Sequence, residues 1–544
     1  MYFIWIIAKR ELTSNIFTYR LLTGIIVCFL LIASSARVLT KDYENRLRAY
    51  SGAKKEHEEK LKEVKVYSQL KVDVDRPPEP LSIICLGMDR QLGSTTTVSY
   101  DKVPTDAMVH GGGNPLLSVF SAIDIVVIVQ IVLSLFVILI AYDAISGERE
   151  RGTLALAMSN SVSRYHILIG KYLGGMASIL LSLAVGWVGG LAMIRSSPMV
   201  EFHAAEWGRI ALLFLVSALY LSIFFLLSML VSAKAKRSAT ALVWLLFLWV
   251  ALVLIIPNGA AYLAGQVQPI ESKAKIDAER DSIMKEYQQK IRDYGDKHQS
   301  LSYIATERNV VSGMYPLASS VLSGSKEAML WYLDGAKFYV PLRIQYAQRV
   351  GNLYQEYYRS LKKQTVLAEN LSRLSPAWTY YNASAILAGT DLESYERFIK
   401  RAQDYRRELM EYMRGQGAFS SIRWFSRAKL DELPSQVEAT RFYNEKLKNL
   451  FERFPSLTQA EREEFLKVWR VYDKLASAIR EKMTLKSWDD VEPLDLSDMP
   501  AFTFQREEAL ASIQRAMLDL TILILLNALL FWGATAIFVK SEVR

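Results

Sequence analysis

The 544-residue sequence has only two cysteines, Cys28 and Cys85, and five histidines. Cys28 falls inside an apolar run and Cys85 outside it, so depth separates them. With no C-x-x-C spacing, a disulfide framework, a zinc site and a dithiol redox centre are all excluded. The histidines are scattered, and His57-Glu58 is followed by Leu61 where a zinc-binding H-E-x-x-H helix needs its second histidine. No metal site is expected. Nor is there a Gly-x-x-x-x-Gly-Lys-Ser/Thr loop, because Gly324-Ser-Lys326 lacks the upstream glycine, so the chain has no phosphate cradle of its own. Charge is sparse as well, 22% against 51% hydrophobic residues. That balance is too apolar for a wholly soluble protein and too charged for one confined to lipid.

The net charge of +9 does not make a nucleic-acid binder. Much of the excess lies in short segments flanking apolar runs, where it sets topology and meets anionic headgroups. Six such runs occur, at 21–38, 123–142, 173–194, 210–231, 240–263 and 517–539, each near the ~20 residues that cross a bilayer as a helix. The first follows Lys9, Arg10 and Arg20 and closes with small residues at 33–36, like a signal peptide. It is long for a cleaved signal and no strict A-x-A site follows, so it reads as a retained anchor. The fold class is therefore an all-α polytopic membrane protein of six transmembrane helices, with a mainly helical extracytoplasmic domain and a small β element.

Orientation follows from Lys and Arg in the short segments. Residues 1–20 (Lys9, Arg10, Arg20), 143–172 (Arg149, Arg151, Arg164, Lys171), the loop Lys234, Lys236 and Arg237, and the tail 540–544 (Lys540, Arg544) fall on one side. The one short loop opposite carries only Arg195 and Arg209 at its edges. Both termini are expected in the cytoplasm. Residues 1–20 place Ile4, Ala8, Leu12 and Ile16 on one helical face and Lys9, Arg10, Thr13 and Ser14 on another, with Phe3, Ile6 and Phe17 off pattern. An interfacial helix is expected.

The first external loop, 39–122, opens with a charged helical run, 40–70. Its Tyr43, Leu47, Tyr50, Lys54, His57, Leu61 and Val64 recur at coiled-coil spacing, two of them polar. The prolines of 75–80 should stop it. Residues 81–86 and 94–100 read as short strands, and 110–115 (His-Gly-Gly-Gly-Asn-Pro) as a flexible return. Residues 264–515 form a helical domain long enough for its own core, opening with a charged helix at 270–298 and continuing through amphipathic runs at 339–362, 391–414 and 436–451. The Asn382-Ala-Ser384 sequon is read as chance.

Within the spans, Gly170 and Gly174, then Gly186 and Gly190, repeat a four-residue spacing that lets helices approach closely. They serve either packing within one bundle or a subunit or substrate-path interface. Pro257 should kink the fifth span. Asp124 and Asp519 sit near outer helix ends and read as N-terminal caps, a substrate-path carboxylate being the alternative.

The most informative stretch joins the second and third spans: Asp143, then Glu148-Arg149-Glu150-Arg151-Gly152-Thr153, Ser163-Arg164 and Gly170-Lys171. About 30 residues cannot build a core, and exposed pairs among four alternating charges contribute only ~0 to 1 kcal/mol. A partner surface would give those charges a use, because opposite charges across an interface fix register. The stretch AYDAISGERERGTLALAMSNSVSRYHILIGKYLG resembles the segment between the second and third helices of ABC-2 type transporter permeases, whose elbow touches an ATPase. The segment 374–391, with its Ser-Pro and Ala-Gly-Thr, resembles one in the large-extracytoplasmic-loop branch of that family.

The resemblance implies ATPase-coupling roles for Asp143, Glu148, Arg149, Glu150, Arg151, Gly152, Thr153, Ser163 and Arg164. It implies a transport subunit that is not itself an enzyme, with ATP and Mg on a separate ABC ATPase subunit and no cofactor on this chain. A second permease subunit, identical or related, contact with membrane lipid, an extracytoplasmic partner protein, export, and a bacterial inner-membrane location are further implications. Related large-loop permeases are linked to metalloenzyme assembly or gliding machinery, and nothing in the sequence selects either. The alternative is an ATPase-coupled transmitter acting mechanically on an outside partner, which unbroken helices from span one into 40–70 and from span five into 270–298 would favour. An ATP-independent scaffold is disfavoured by the elbow.

Overall fold

A computed structural model describes residues 2–108, 123–154, 163–298 and 320–540, with the backbone alone at 306–308. The return at 110–115 and the tail residue Arg544 lie outside the described residues. Helix α1 (Tyr2–Phe17) is followed by Tyr19, whose positive φ of 57° turns the chain into α2 (Arg20–Lys62). At a rise of ~1.5 Å per residue, the 43 residues of α2 run far past a ~30 Å hydrocarbon core. Apolar residues occupy its first half and charged ones its second, so one rod leaves the membrane.

That rod stops at Lys62, before the prolines that were expected to stop it. The chain instead forms β1 (Val72–Asp75), paired antiparallel with β2 (Thr95–Val98). The 81–86 strand is absent. Pro80–Ile83 is a 3-10 turn, and Leu81, Ser82, Ile83, Ile84 and Cys85 are all buried, a pattern without the alternation a half-buried strand needs. The heptad face of α2 meets this turn and β1, not a second coiled-coil helix: His57, 8% exposed, lies 2.8 Å from the Asp75 carboxylate.

The remaining spans are α3 (Ile125–Glu150), α4 (Arg164–Arg195), α5 (Ala204–Lys234) and α6 (Ser238–Val267), with the last, α13, defined below. Two contain π turns, Ile128–Leu133 in α3 and Ala251–Ile255 in α6. The second lies just before Pro257, whose ring clashes with the carbonyl four residues back and which lacks an N–H to donate. The fifth span and the charged helix that follows are separate. Helix α6 ends at Val267, and α7 (Lys273–Lys297) starts afresh with Ser272 Oγ accepting from Lys275 N–H. Of the two rods the sequence allowed, only α2 is unbroken.

Strand β3 (Thr306–Arg308) pairs with β4 (Val321–Gly324). Helix α8 (Lys326–Ser372) then runs against α7, followed by α9 (Pro376–Ala388) and α10 (Leu392–Gly415). The expected 436–451 helix is interrupted, with α11 (Val437–Phe442) passing into a π turn, Tyr443–Leu447, and a further helical turn, Lys448–Glu452. Helix α12 (Gln459–Glu481) completes the domain and α13 (Ala509–Lys540) is the sixth span. The domain core is aromatic, built on Tyr332, Tyr346, Phe398, Tyr405 and Trp424, and the first loop contributes Tyr67, Leu70, Val72 and Val98 to it. The body outside the spans is thus made by both loops together. A smaller cluster of Leu447, Leu457, Phe465 and Tyr472 forms the core of a distal lobe.

Candidate functional site: the elbow and the helix facing it

The elbow is built where α3 runs out of apolar residues. Arg20 at the start of α2 holds Asp143 through two parallel N–H···O bonds, at 3.0 and 2.9 Å. Two residues on, Ile145 and Ser146 donate their backbone N–H groups to Ser232 Oγ of α5, at 3.1 and 3.0 Å. Glu148 reaches the Lys171 ammonium of α4 at 2.8 Å, and the same ammonium meets Glu11 of α1 at 2.5 Å. Lys171 is 5% exposed, so the two carboxylates neutralise a buried cation. Arg149 donates to the Ala233 and Ala235 carbonyls at 3.1 and 2.8 Å, where the end of α5 leaves its last C=O groups without helical partners. Glu150 accepts from Ser238 N–H and Oγ, both at 2.9 Å, at the first turn of α6.

Three of the four alternating charges are therefore engaged within the chain, whereas the sequence pattern pointed all four at a partner. Arg151 alone of the four is exposed with no ion pair or hydrogen bond among the described residues. Gly152 next to it takes φ +72°, a turn that disfavours a side chain. Thr153 Oγ1 closes the turn on the Glu148 carbonyl at 3.2 Å. Ser163 caps α4 by accepting from His166 N–H, and Arg164 donates to the Val539 carbonyl of α13 at 2.6 Å. The elbow residues and Lys171 thus touch α1, α2, α4, α5, α6 and α13. Glu11, Ser232 and Ser238 carried no signal in the sequence, and Arg20 and Lys171 read only as topogenic charges.

The glycine spacings are taken up inside the chain. A Cβ at Gly174 would lie 2.5 Å from the Ala8 carbonyl oxygen and one at Gly170 2.7 Å from Ile7, so α1 rests on bare backbone of α4. Gly186 and Gly190 receive Cys28 and Ile32 of α2 in the same way.

At the opposite end, the stretch that resembles the large-loop branch forms α9. Ten of its 13 residues are buried, so it is not a surface helix. It leaves the domain of α7 to α12 and packs against α3, α5, α6 and α13, inside the core cluster that those spans share. Tyr380 stacks on Tyr220 of α5 at 4.5 Å and its hydroxyl lies 2.9 Å from Ser217 Oγ. Gln130, in the π turn of α3, donates to the Ala377 carbonyl at 3.1 Å, and Ser375 Oγ donates to the Leu252 carbonyl in the π turn of α6. Both π turns thus occur where α9 docks. Gly389 ends α9 at φ +73°.

Asp519 is not a cap. It lies well inside α13 at 0% exposure, accepting from Arg373 Nε and from Asn382 Nδ2, each at 2.7 Å. The sequon asparagine is therefore held in that buried contact. Asp124 does cap α3, accepting from Val127 N–H at 2.7 Å and from Leu86 N–H at 2.8 Å. Around the end of α9, Glu79 is buried beside Arg506 at 3.2 Å, and burial pushes its carboxyl up to about 7 against the pull of that guanidinium.

A family model described as ABC-2 family transporter protein matches residues 5–402. The chain belongs to the ABC-2 transporter family. The match runs from α1 into α10, enclosing the elbow, the Lys171 contact and α9. A second model, a domain of unknown function designated DUF3526, matches residues 336–505, from α8 to just before α13. The chain is 35% identical over 125 residues to a probable ABC transporter permease protein NosY of Pseudomonas aeruginosa, covering 22% of this chain and 44% of the relative. It is 34% identical over 125 residues to the protein of the same description in Stutzerimonas stutzeri, covering 21% and 44%. The chain thus matches less than half the length of these curated relatives. As an ABC-2 family member with six candidate spans among the described residues, it is a membrane-spanning protein of the transporter class.

Proposed function

We propose that this chain is the membrane subunit of an ATP-driven ABC-2 transporter and that a separate ATPase subunit, carrying the ATP and Mg, docks on the elbow. The observation that carries this reading is the anchoring of the elbow: side chains of one short segment reach α1 and five of the spans. A force applied there cannot stay local. Arg151, outward beside the Gly152 turn, is the docking contact, while Glu148, Arg149 and Glu150 pass displacement inward as rigid hydrogen-bonded links. Export follows if α9 closes the outer end of a path between α3, α5, α6 and α13, with Asp519 as its latch. The chain pairs with a second permease subunit in a bacterial inner membrane, both termini on the ATPase side.

The test is co-purification of the chain with its ATPase and measurement of ATP hydrolysis. Arg151→Glu should weaken association at least tenfold, and Arg149→Ala should leave association intact while uncoupling hydrolysis from the chain. Unchanged assembly and coupling in both would refute the docking assignment. The unbroken α2 favours a second reading, mechanical transmission to an outside partner with no substrate moved. A Gly-Gly insertion after Ser51 would abolish function under that reading and spare transport under the first.

A further inference from the structure

Four segments of the chain meet around one buried acid. Glu79, in the first loop between β1 and β2, is 6% exposed. Gly389 ends α9 beside it at φ +73°, where a Cβ would lie 3.7 Å from the Glu79 carboxylate and 3.9 Å from Nη1 of Arg209, near the start of α5. Arg506, just before α13, approaches from the fourth side at 3.2 Å. The first loop also grips the link between α9 and α10. Met88 donates its N–H to the Thr390 carbonyl at 2.9 Å, and Gly87 is bare where a Cβ would collide with the Thr390 side chain.

Glu79 is poorly matched although four guanidiniums surround the junction. Arg76 gives Nη2 to Asp89 at 2.9 Å, and Arg46 of α2 binds the same carboxylate at 2.6 Å. Arg209 donates to the Glu507 carbonyl at 2.5 Å. Among the described residues only Arg506 pairs with Glu79, and its side chain is 37% exposed while its Nη2 goes to the Pro78 carbonyl at 2.9 Å. Asp89 adds a like charge, and Tyr43 of α2 is a further titratable neighbour. Glu507 of the α13 lead-in and Asp391 after α9 are both held by Arg515. A carboxylate with one half-solvated partner does not recover its desolvation cost, and burial accordingly raises the Glu79 carboxyl to about 7.

We propose that Glu79 is a proton-controlled clasp joining the first loop to the end of α9, the start of α5 and the lead-in to α13. Protonated, it stays buried and the four segments are held together. Ionised, it turns to water and frees the end of α9 from the first loop. A solvated glutamate has the ordinary value of 4.5, so the released form gains about tenfold per pH unit between 4.5 and 7 and nothing further above that. The clasp therefore reads the pH of the compartment that bathes α8 to α12.

The experiment is amide hydrogen exchange of the full chain in lipid nanodiscs at pH 5 and pH 8, each rate divided by its intrinsic rate at that pH. Protection of peptides covering 84–90 and 385–391 should fall on the order of a hundredfold from pH 5 to pH 8, while α12 keeps its protection. Glu79→Gln should abolish the fall. Arg506→Gln removes the one pairing cation and should enlarge it, and this variant carries the test if Glu79→Gln misfolds. Equal protection at the two pH values, a fall of the same size in both variants as in the parent chain, or a fall shared by α12 would each overturn the proposal.

Discussion

Replacing Lys171 by methionine keeps the apolar stem of the side chain and removes the ammonium with its charge. Glu11 and Glu148 would then face each other across the gap that the ammonium spans at 2.5 and 2.8 Å. Removing one partner of a buried ion pair costs ~3–5 kcal/mol, because the other is left buried and uncompensated. The two carboxylates keep 25% and 17% exposure, against 5% for the lysine, so they can partly rehydrate. The lower end, about 3 kcal/mol, is the expected loss. Denaturation in detergent should show it, and Glu11→Gln combined with Lys171→Met should recover part of it, since one of the opposed charges is gone. A spin label at Arg151→Cys should also gain mobility as α1 and α4 release the elbow. If Lys171→Met unfolds like the parent chain and the label stays immobile, the reasoning about a charge-locked elbow is wrong.

Asp519→Asn should remove the counter-charge from the half-buried Arg373 guanidinium, 19% exposed, weakening the α9 contact by about 2 kcal/mol, the size of one hydrogen bond to a charged group; faster protease cleavage near 373–376 is the readout, and unchanged cleavage would count against α9 being latched there. Glu79 gives a pH dependence. Its carboxyl is raised by burial from 4.5 to about 7, so both folded and unfolded chains are protonated below about 4.5 and no penalty exists there. As pH rises through 7, stability on the order of 3 kcal/mol is lost. Glu79→Gln should flatten the unfolding profile across that window, and a profile with the same slope would dismiss the assignment. Two glycines make a matched pair. Gly174→Ala would push a Cβ to 2.5 Å from the Ala8 carbonyl and should detach α1, whereas a Cβ at Gly259 meets nothing within 4 Å, so Gly259→Ala should stabilise α6 by ~0.5–1 kcal/mol. Equal melting temperatures for the two variants would contradict the α1–α4 contact.

The six spans were legible because about 20 apolar residues in a row have few other uses, and the elbow because its charges interrupt two such runs. Direction within the elbow was not legible. A spacing of one residue between Glu148 and Arg149 says nothing about Lys171 or Ala235, which only the folded chain brings near. Helix α9 escaped for a related reason: 13 mostly apolar residues are too few to span and look like the core of a soluble domain. Their partners, Tyr220, Ser217 and Gln130, lie in other spans, and the π turns that admit α9 leave no periodicity in an all-apolar sequence. The proposed strand at 81–86 failed because burial on every residue of a 3-10 turn imitates an apolar β run.

The account depends on the elbow and the domain of α8 to α12 lying on opposite faces of the membrane. Arg151→Cys and Lys467→Cys, placed singly in the full chain, can be treated in intact cells with a membrane-impermeant maleimide. Labelling of Lys467→Cys alone, with Arg151→Cys reacting only after the membrane is opened, is the predicted outcome. Labelling of both from outside would place the elbow beyond reach of any cytoplasmic ATPase and contradict the account.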